Sequence, residues 1–307
     1  MVKVKPGRDA APAVIWPAPV LPGDWIAVVA PSSPFGAEDF GRGMAWLREH
    51  YRVKVAADVL DRAGYLAGSD DRRAAELERM IRDPDVGAIV AARGGYGAMR
   101  ILERLPWREL EQAPKWIVGF SDVTALHACA WSRGLASIHA PHVTGLGRAD
   151  SLPSEREAWQ RALESPRAPR AWERLRVLRA GEARGVLVGG NLALVETMAA
   201  SGRLALPDGC VLALEDVTER PYRVDRMLTA LRLGGHLARA SAIVFGSFEQ
   251  CDPGPDGVTV DEVIAERTGD LGVPVLAGAP FGHGASNEPF ILGSTAHVSG
   301  DSVLMAG

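Results

Sequence analysis

The sequence Ile117-Val118-Gly119-Phe120-Ser121-Asp122-Val123-Thr124 joins a short apolar run to the start of a helical pattern. The run from Trp116 to Val118 predicts a buried strand, and apolar residues recur at helical spacing after it. Gly119 permits a sharp bend, which places Ser121 at the tip of a strand–turn–helix unit. In a nucleophile elbow such a turn exposes a serine hydroxyl, and the helix N-terminus supplies free N–H groups. Val123 stands where the common elbow has a second glycine.

Strand patterns alternate with helical patterns along the first half of the chain, which predicts βαβ units and a parallel sheet. Apart from the strand at Trp116, the predicted strands are Asp24–Ala30, Val53–Ala57 and Asp85–Ala92. Ligands of such sheets collect at the carboxyl ends of the strands. Three special loops fall there, and we expect them to converge: Pro31–Pro34, Arg93–Gly97 and Gly119–Asp122.

The second half mixes strands with helices and ends in β-structure. A five-residue apolar strand, Cys210–Leu214, delivers Glu215 at its end, and His283 lies between two glycines in a loop. Phe290–Leu292 and the run from Ala296 to Met305 predict a closing β-hairpin. A serine nucleophile needs a base, and the base needs a group that orients it, so both residues are candidates beside Ser121.

The expected organisation has four parts. Residues 1–22 form a flexible lead-in, residues 23–150 a Rossmann-like N-terminal domain, residues 151–184 a helix and linker, and residues 185–307 a β-rich α/β C-terminal domain. The fold class is therefore α/β in two domains.

Composition narrows the class of protein. The 307 residues are 47% hydrophobic and 23% charged, with a net charge of −4, which gives no basic field for nucleic acid. Three widely spaced cysteines predict neither a disulfide framework nor a structural zinc site. No signal-peptide core or membrane-spanning run is visible, so the expected compartment is the cytoplasm and no membrane partner is expected.

Other functions compete for the same residues. The Arg93–Gly97 loop could cradle a phosphate, but no Lys-Ser/Thr pair follows it and it lacks the dinucleotide-binding register. It could equally supply a backbone N–H to an oxyanion. His127, His139 and His142 raise the question of a metal, but no carboxylate accompanies them at a ligand spacing.

The chain resembles the LD-carboxypeptidase family, the serine peptidases that include the muramoyltetrapeptide carboxypeptidases and the microcin C immunity peptidase. The resemblance runs from about Asp24 to the C-terminus. The matching stretches are APSSP at 30–34, GYLAGSDDRRAAEL at 64–77, ARGGYGAMRIL at 92–102, GFSDVTAL at 119–126, GGNLALV at 189–195, LALED at 212–216, YRVDRMLTAL at 222–231 and GHGASN at 282–287.

The resemblance implies a Ser–His–Glu triad, with Ser121 as nucleophile, His283 as base and Glu215 as orienting acid. It further implies an oxyanion hole made by the backbone N–H groups of Asp122 and Gly95, no metal or organic cofactor, and a homodimer. We expect Ser121 and His283 to lie within hydrogen-bonding reach, or nearly so without substrate.

The resemblance leaves two classes of substrate open. The family implies either a murein tetrapeptide, cut before its terminal D-Ala in peptidoglycan recycling, or a peptidyl- or aminoacyl-nucleotide of the microcin C kind. Two departures bear on the cleft: His139-Ala-Pro-His142, where the family often has His-Gly-Pro-Met, and Glu288-Pro-Phe290. A non-catalytic nucleotide- or sugar-phosphate-binding protein is the alternative from another class.

Overall fold

The computed structural model describes residues 14–307, which form two β-sheets with helices packed on them. In chain order the strands are β1 (Trp25–Val29), β2 (Arg52–Val55), β3 (Val86–Ala91), β4 (Trp116–Gly119), β5 (Ser137–His139), β6 (Arg170–Trp172), β7 (Arg176–Arg179), β8 (Glu182–Asn191), β9 (Cys210–Val217), β10 (Ala240–Glu249), β11 (Val275–Ala277), β12 (Phe290–Leu292), β13 (Thr295–Ser299) and β14 (Ser302–Ala306).

The α-helices within the same residues are α1 (Ala37–His50), α2 (Asp70–Arg82), α3 (Trp107–Gln112), α4 (Thr124–Trp131), α5 (Val143–Leu146), α6 (Pro153–Glu164), α7 (Leu192–Ala200), α8 (Pro221–Leu233) and α9 (Val260–Thr268). Short 3₁₀ helices cover Ala98–Arg104, Ser121–Val123 and Leu237–Arg239. None of the helices in residues 14–307 has both the length and the apolar character needed to cross a bilayer.

The first sheet has the order β2-β1-β3-β4-β5-β12. The pairs β1–β2, β1–β3, β3–β4 and β4–β5 are parallel, and only β12 is antiparallel to its neighbour β5. The strand order reverses between β1 and β3, and parallel sheets of this kind bind ligands outside the carboxyl ends of the strands near such a point. The predicted Rossmann-like N-terminal sheet is confirmed.

The second sheet has the order β6-β14-β13-β8-β9-β10-β11-β7. The four central strands β8 to β11 run parallel, while β13, β14, β6 and β7 add antiparallel edges. This is the β-rich α/β C-terminal half that the sequence predicts. The parallel core again places strand ends at one edge of the sheet, where Glu215 lies on β9.

Two predictions about chain segments need correction. Phe290–Leu292 does not join the C-terminal hairpin, which β13 and β14 form alone; instead it crosses back to the first sheet as β12. Within residues 151–184, α6 packs on the first sheet through the fully buried Trp159, and β6 and β7 form the two edges of the second sheet. The sequence contains no local signal for either placement, because edge pairing depends on distant strands.

The lead-in predicted for residues 1–22 falls partly outside the described residues, which begin at Val14. The described part is packed: the Ile15 amide bonds to Gly134 O at 2.7 Å, and Val20 is buried. Trp116 donates its indole N–H to Ala18 O at 2.8 Å. Residues 14–22 therefore run along the first sheet with fixed partners, where a flexible segment was expected.

The core forms on both faces of the first sheet because strand side chains alternate. Ile26 and Val28 of β1 point into a cluster beneath α1 and α6, while Ala27 and Val29 point into a second cluster. That second cluster continues without a break into the second sheet, where it includes Leu212 of β9. The two halves therefore share one hydrophobic core next to the strand ends that carry the site.

Candidate active site

Ser121 lies on a strained turn at the end of β4. Its φ is +57°, in the left-handed region that residues with a side chain seldom adopt. A Cβ on Gly119 would come within 2.9 Å of the Val123 side chain, so the bend closes tightly around the buried Val123. Val123, which departs from the common elbow, fills the space against Gly119. The backbone has the geometry of a nucleophile elbow, whose strain is typical of functional sites.

His127 holds the strand end that precedes this turn. Its Nε2 lies 2.9 Å from Gly119 O, and its Nδ1 lies 2.9 Å from Ser137 Oγ. Burial lowers the pKa of His127 to about 4, so the ring is neutral near pH 7. Nε2–H then donates to the Gly119 carbonyl, and Nδ1 accepts from the Ser137 hydroxyl. Both ring nitrogens are thus occupied by the fold.

Asp122 connects the elbow to the glycine loop. Its carboxylate Oδ2 accepts the backbone N–H of Ala98 at 2.8 Å, just after Gly97. Burial raises the pKa of this carboxyl, and backbone and side-chain hydrogen bonds oppose that rise. The acidic residue after the serine therefore has a structural role, because its side chain links the turn after β4 to the loop after β3.

The glycine loop Arg93–Gly97 lies against Ser121 and against the first loop. A Cβ on Gly94 would lie 2.8 Å from Ser121 Cβ and 3.1 Å from Ser121 Oγ. Gly95 has a φ of +104° and packs on Ser33, whose Oγ accepts the Tyr96 N–H at 3.0 Å. Among residues 14–307 no acceptor bonds the backbone N–H of Gly95 or of Asp122. Both predicted oxyanion donors are therefore unoccupied N–H groups.

Two charged residues of α2 brace these loops from behind, and sequence reasoning did not single them out. Arg73 is fully buried and donates to Pro31 O and to Gly97 O, the latter at 2.8 Å. Glu76 accepts the Ala30 N–H at 2.8 Å and pairs with Arg72. The spacing of Arg73 and Glu76 is ordinary for two charged residues on the exposed face of a helix. Only the tertiary structure reveals that their side chains point inward.

Glu215 and His283 meet at the edge of the second sheet. His283 Nδ1 lies 2.7 Å from Glu215 Oε2, so Nδ1–H donates to the carboxylate and Nε2 is left as the free acceptor. Glu215 is fully buried, and His283 keeps about 20% of its side chain exposed. Gly282 is needed there, because a Cβ would lie 2.8 Å from Glu215 Oε2. This is the arrangement of a base held by an orienting acid.

Asn191 orients the acid and links it to the elbow helix. Its Nδ2 donates to Glu215 Oε1 at 3.3 Å and to Asp216 Oδ1 at 2.9 Å. Its backbone N–H donates to Thr124 Oγ1 at 3.0 Å, three residues after Ser121. A Cβ on Gly190 would lie 2.4 Å from the same hydroxyl, so the two halves touch closely here. Thr124 and Asn191 are further site residues, to which the sequence analysis assigned no role.

A cleft of about 520 Å³ borders His283 and Phe120, the residue before Ser121. Its wall includes Phe120, Arg148, Glu249, His283 and Asn287. The Phe120 and His283 rings are 4.7 Å apart between centroids, so His283 lies beside the residue that precedes Ser121. The hydrogen bonds of residues 14–307 include none between Ser121 and His283, and that contact stays a prediction.

Residues of the two sequence departures are buried behind Phe120, which borders the cleft. Phe290 pairs with His139 across β12 and β5, and the two rings stack at 4.6 Å. His142 stacks on Phe120 at 4.4 Å. In residues 14–307 no group of three or more His, Cys, Asp or Glu side chains is arranged to hold a metal ion.

Comparison with known protein families identifies the family of this chain. Residues 26–140 match the LD-carboxypeptidase N-terminal domain and residues 184–298 match the LD-carboxypeptidase C-terminal domain. The chain therefore belongs to the LD-carboxypeptidase family of serine peptidases.

Individual proteins are similar to this chain over most of its length. The murein tetrapeptide carboxypeptidase of Pseudomonas aeruginosa is 32% identical over 90% of this chain and 93% of its own. The crystal structure of muramoyltetrapeptide carboxypeptidase from Oxalobacter formigenes superposes with a TM-score of 0.84 at 27% identity, covering 92% of this chain and 99% of that one. The microcin C7 self immunity protein MccF superposes at 0.87 with 22% identity over 95% and 98%, which shows the shared fold alone.

Proposed function

We propose that this protein is a serine carboxypeptidase that hydrolyses the amide between an L-amino acid and a terminal D-alanine, with murein tetrapeptide as its substrate. The observation that carries the proposal is the 2.7 Å bond between His283 Nδ1 and Glu215 Oε2 on a cleft that also borders Phe120, next to Ser121. The names of the Pseudomonas and Oxalobacter proteins support the substrate.

In the proposed reaction Ser121 Oγ attacks the carbonyl carbon of the L-residue while His283 Nε2 takes the hydroxyl proton. Glu215, held by Asn191, keeps the imidazole in the correct tautomer and stabilises the imidazolium that forms. The developing oxyanion accepts hydrogen bonds from the backbone N–H groups of Gly95 and Asp122. His283 then protonates the amine of the leaving D-alanine, and water releases the L-residue from Ser121 by the same steps.

The same proposal includes a cytoplasmic homodimer that acts in peptidoglycan recycling. The location follows from the proposed role, because a recycling enzyme works on small soluble muropeptides. Light scattering coupled to gel filtration tests the assembly: a mass of twice 32.7 kDa is expected, and a single-chain mass at micromolar concentration contradicts the dimer.

The activity is tested by incubating the protein with a muropeptide tetrapeptide and quantifying D-alanine. Ser121→Ala should lower turnover by about 10⁴-fold or more, because removing the nucleophile of a triad abolishes the acyl pathway. Ser302→Ala, on the distant strand β14, is the matched control and should keep full activity. Undiminished hydrolysis by Ser121→Ala would exclude Ser121 as the nucleophile.

One observation favours an aminoacyl-nucleotide substrate of the microcin C kind as a second candidate. Tyr65 and Tyr96 are 65% and 50% exposed, with ring centroids 5.7 Å apart, and Tyr96 follows Gly95 directly. An exposed aromatic pair can stack a nucleobase. A structure of MccF contains aspartyl sulfamoyl adenosine. Parallel assays with that compound and the tetrapeptide decide: release of D-alanine without nucleotide cleavage excludes this candidate.

The same protein preparation also tests the non-catalytic alternative. A nucleotide- or sugar-phosphate-binding protein would raise its melting temperature with the ligand while turning over neither substrate. Covalent labelling of Ser121 by a serine-directed fluorophosphonate argues against it, since only an activated serine reacts.

A further inference from the structure

His142 lies between the two loops that carry the proposed oxyanion donors. Its Nε2 is 2.9 Å from Phe120 O and 3.4 Å from Phe120 N. The shorter contact requires Nε2–H to donate to the carbonyl. The ring also stacks on the Phe120 side chain, with centroids 4.4 Å apart and planes 28° apart. His142 therefore holds the residue before Ser121 by its main chain and by its side chain.

The same ring contacts the glycine loop. A Cβ on Gly94 would lie 2.8 Å from His142 Cε1, as close as it would lie to Ser121 Cβ. Gly94 is thus packed between the imidazole and the serine. The ring therefore contacts both Phe120 and the peptide that leads to Gly95.

The next turn anchors the start of that loop. Both the backbone N–H and the hydroxyl of Thr144 donate to Ala92 O, each at 3.1 Å. Segment 142–144 thereby bridges the carboxyl ends of β3 and β4. Thr144 fixes the glycine-loop side of the bridge, and His142 fixes the elbow side.

We propose that His142 is a positioning residue that sets the separation between the Gly95 and Asp122 amides. The proposal rests on the proposed function, because it presumes an oxyanion between those amides. Methionine, which often stands at this position in the family, has no N–H to donate to Phe120 O. The elbow of this chain therefore has a hydrogen bond that a methionine cannot provide.

A donor that is displaced weakens catalysis in a specific way. The oxyanion forms in the transition state and the tetrahedral intermediate and is absent from bound substrate, so loss of His142 lowers kcat and leaves KM nearly unchanged. Removing one oxyanion donor costs ~10²–10³-fold, and a misplacement of 1 Å elsewhere can cost ~10²-fold. We expect a loss of about 10-fold or more in kcat.

The test separates the hydrogen bond from the stacked ring. His142→Phe keeps a ring without a donor, His142→Gln keeps a donor without a ring, and His297→Gln on β13 is the surface control. Each is measured for peptide hydrolysis and for the rate of Ser121 labelling by a fluorophosphonate. In the labelling step the Ser121 Oγ–P bond forms, fluoride leaves and the hydroxyl proton passes through His283 to solvent.

We expect His142→Phe to lower both kcat and the labelling rate about 10-fold or more, His142→Gln to recover most of both, and His297→Gln to match the wild type. Folded His142→Phe with an unchanged labelling rate overturns the proposal. If His142→Phe fails to fold, Thr144→Val, which removes one bond at the other end of the bridge, must lower the labelling rate, or the proposal is wrong.

Labelling also separates this inference from the substrate assignment. Wild-type protein that labels at Ser121 but releases no D-alanine contradicts the proposed substrate and leaves the variant series decisive. Wild-type protein that does not label at Ser121 overturns both the proposed nucleophile and the role of His142.

Discussion

Burial shifts the pKa values of the residues around the site in different directions. Burial keeps His127 and His142 neutral, with their pKa values lowered to about 4 and about 3. Asp216, beside Glu215, has its pKa raised to about 6, chiefly by burial, and the charge of Glu215 adds to the rise. Burial therefore disfavours the ionised form of Asp216, which lies next to Glu215 in the chain.

Asp216 should make the free energy of unfolding depend on pH. Its carboxyl binds a proton more tightly in the folded protein than in the unfolded chain, so its contribution to stability is full below about pH 4. That contribution is lost as pH rises to about 6, and two units of pKa correspond to about 3 kcal/mol. Asp216→Asn cannot ionise and should not follow this change.

Urea unfolding of wild type and Asp216→Asn between pH 4 and pH 8 measures the effect. We expect the stability of the wild type relative to the variant to fall as pH rises through 4–6 and then to level off. A difference that is constant with pH, or that grows with pH, would contradict a raised pKa. Asp301→Asn, at the exposed turn between β13 and β14, is the control.

At the residue scale, sequence reasoning found side chains whose flanking residues are unusual. Ser121 follows an apolar strand and a glycine, and His283 lies between glycines. Arg73 and Asn191 escaped notice because a helical arginine and an asparagine that caps a helix are ordinary in sequence. Their burial and their bonds to Gly97 and Glu215, each 24 positions away, appear only in the folded chain.

At the scale of elements, α4 and β8 bring the two parts of the site together. Thr124 begins α4, Asn191 ends β8, and the 3.0 Å bond between them is buried on both sides. From Asn191 the hydrogen bonds continue to Glu215 and then to His283. The elbow and the Glu215–His283 pair are thus joined through the hydrogen bond between the start of α4 and the end of β8.

Thr124→Val removes the acceptor and retains the shape of the side chain. The Asn191 N–H is then buried without a partner, which should lower the free energy of unfolding by about 1–3 kcal/mol. Because Asn191 also orients Glu215, kcat should fall as well. Chemical denaturation and tetrapeptide hydrolysis measure the two effects. Thr124→Ser keeps the hydroxyl and should retain most of kcat; equal kcat losses in both variants would show that the methyl group matters instead.

Element boundaries were largely predictable where the pattern is local. The strands that precede the three loops and the amphipathic α8 follow from apolar periodicity and glycine placement. The position of β12 does not, because three apolar residues fit a hairpin and a sheet edge equally well. In the fold β12 pairs with β5, where Phe290 stacks on His139 and meets Phe281 edge-on, and no local pattern specifies these contacts.

At the scale of the whole molecule, the two sheets are not independent. The larger hydrophobic cluster contains Ile117 of the first sheet and Leu212 of the second, and β12 returns from the C-terminal half to the first sheet. Trp172 on β6 stacks on Phe281 and meets Phe290 edge-on at 5.1 Å. Unfolding of either half would expose this shared apolar surface to water.

We therefore expect one cooperative unfolding transition. Far-UV circular dichroism and tryptophan fluorescence should give the same midpoint, and the calorimetric and van't Hoff enthalpies should agree. Two resolved transitions would contradict a shared core and favour two domains that unfold separately. Measurements at several protein concentrations distinguish this from dissociation of an oligomer, which shifts the midpoint with concentration.

The amino-acid sequence by itself determined the α/β class, the elbow around Ser121, the candidates Glu215 and His283, and the family, because each depends on residues that are neighbours along the chain or on motifs in a recognisable order. The tertiary structure alone decided which buried side chains support them. Arg73, His142, Thr124 and Asn191 act through partners far away in sequence, and such contacts form only once both sheets have packed on their common core.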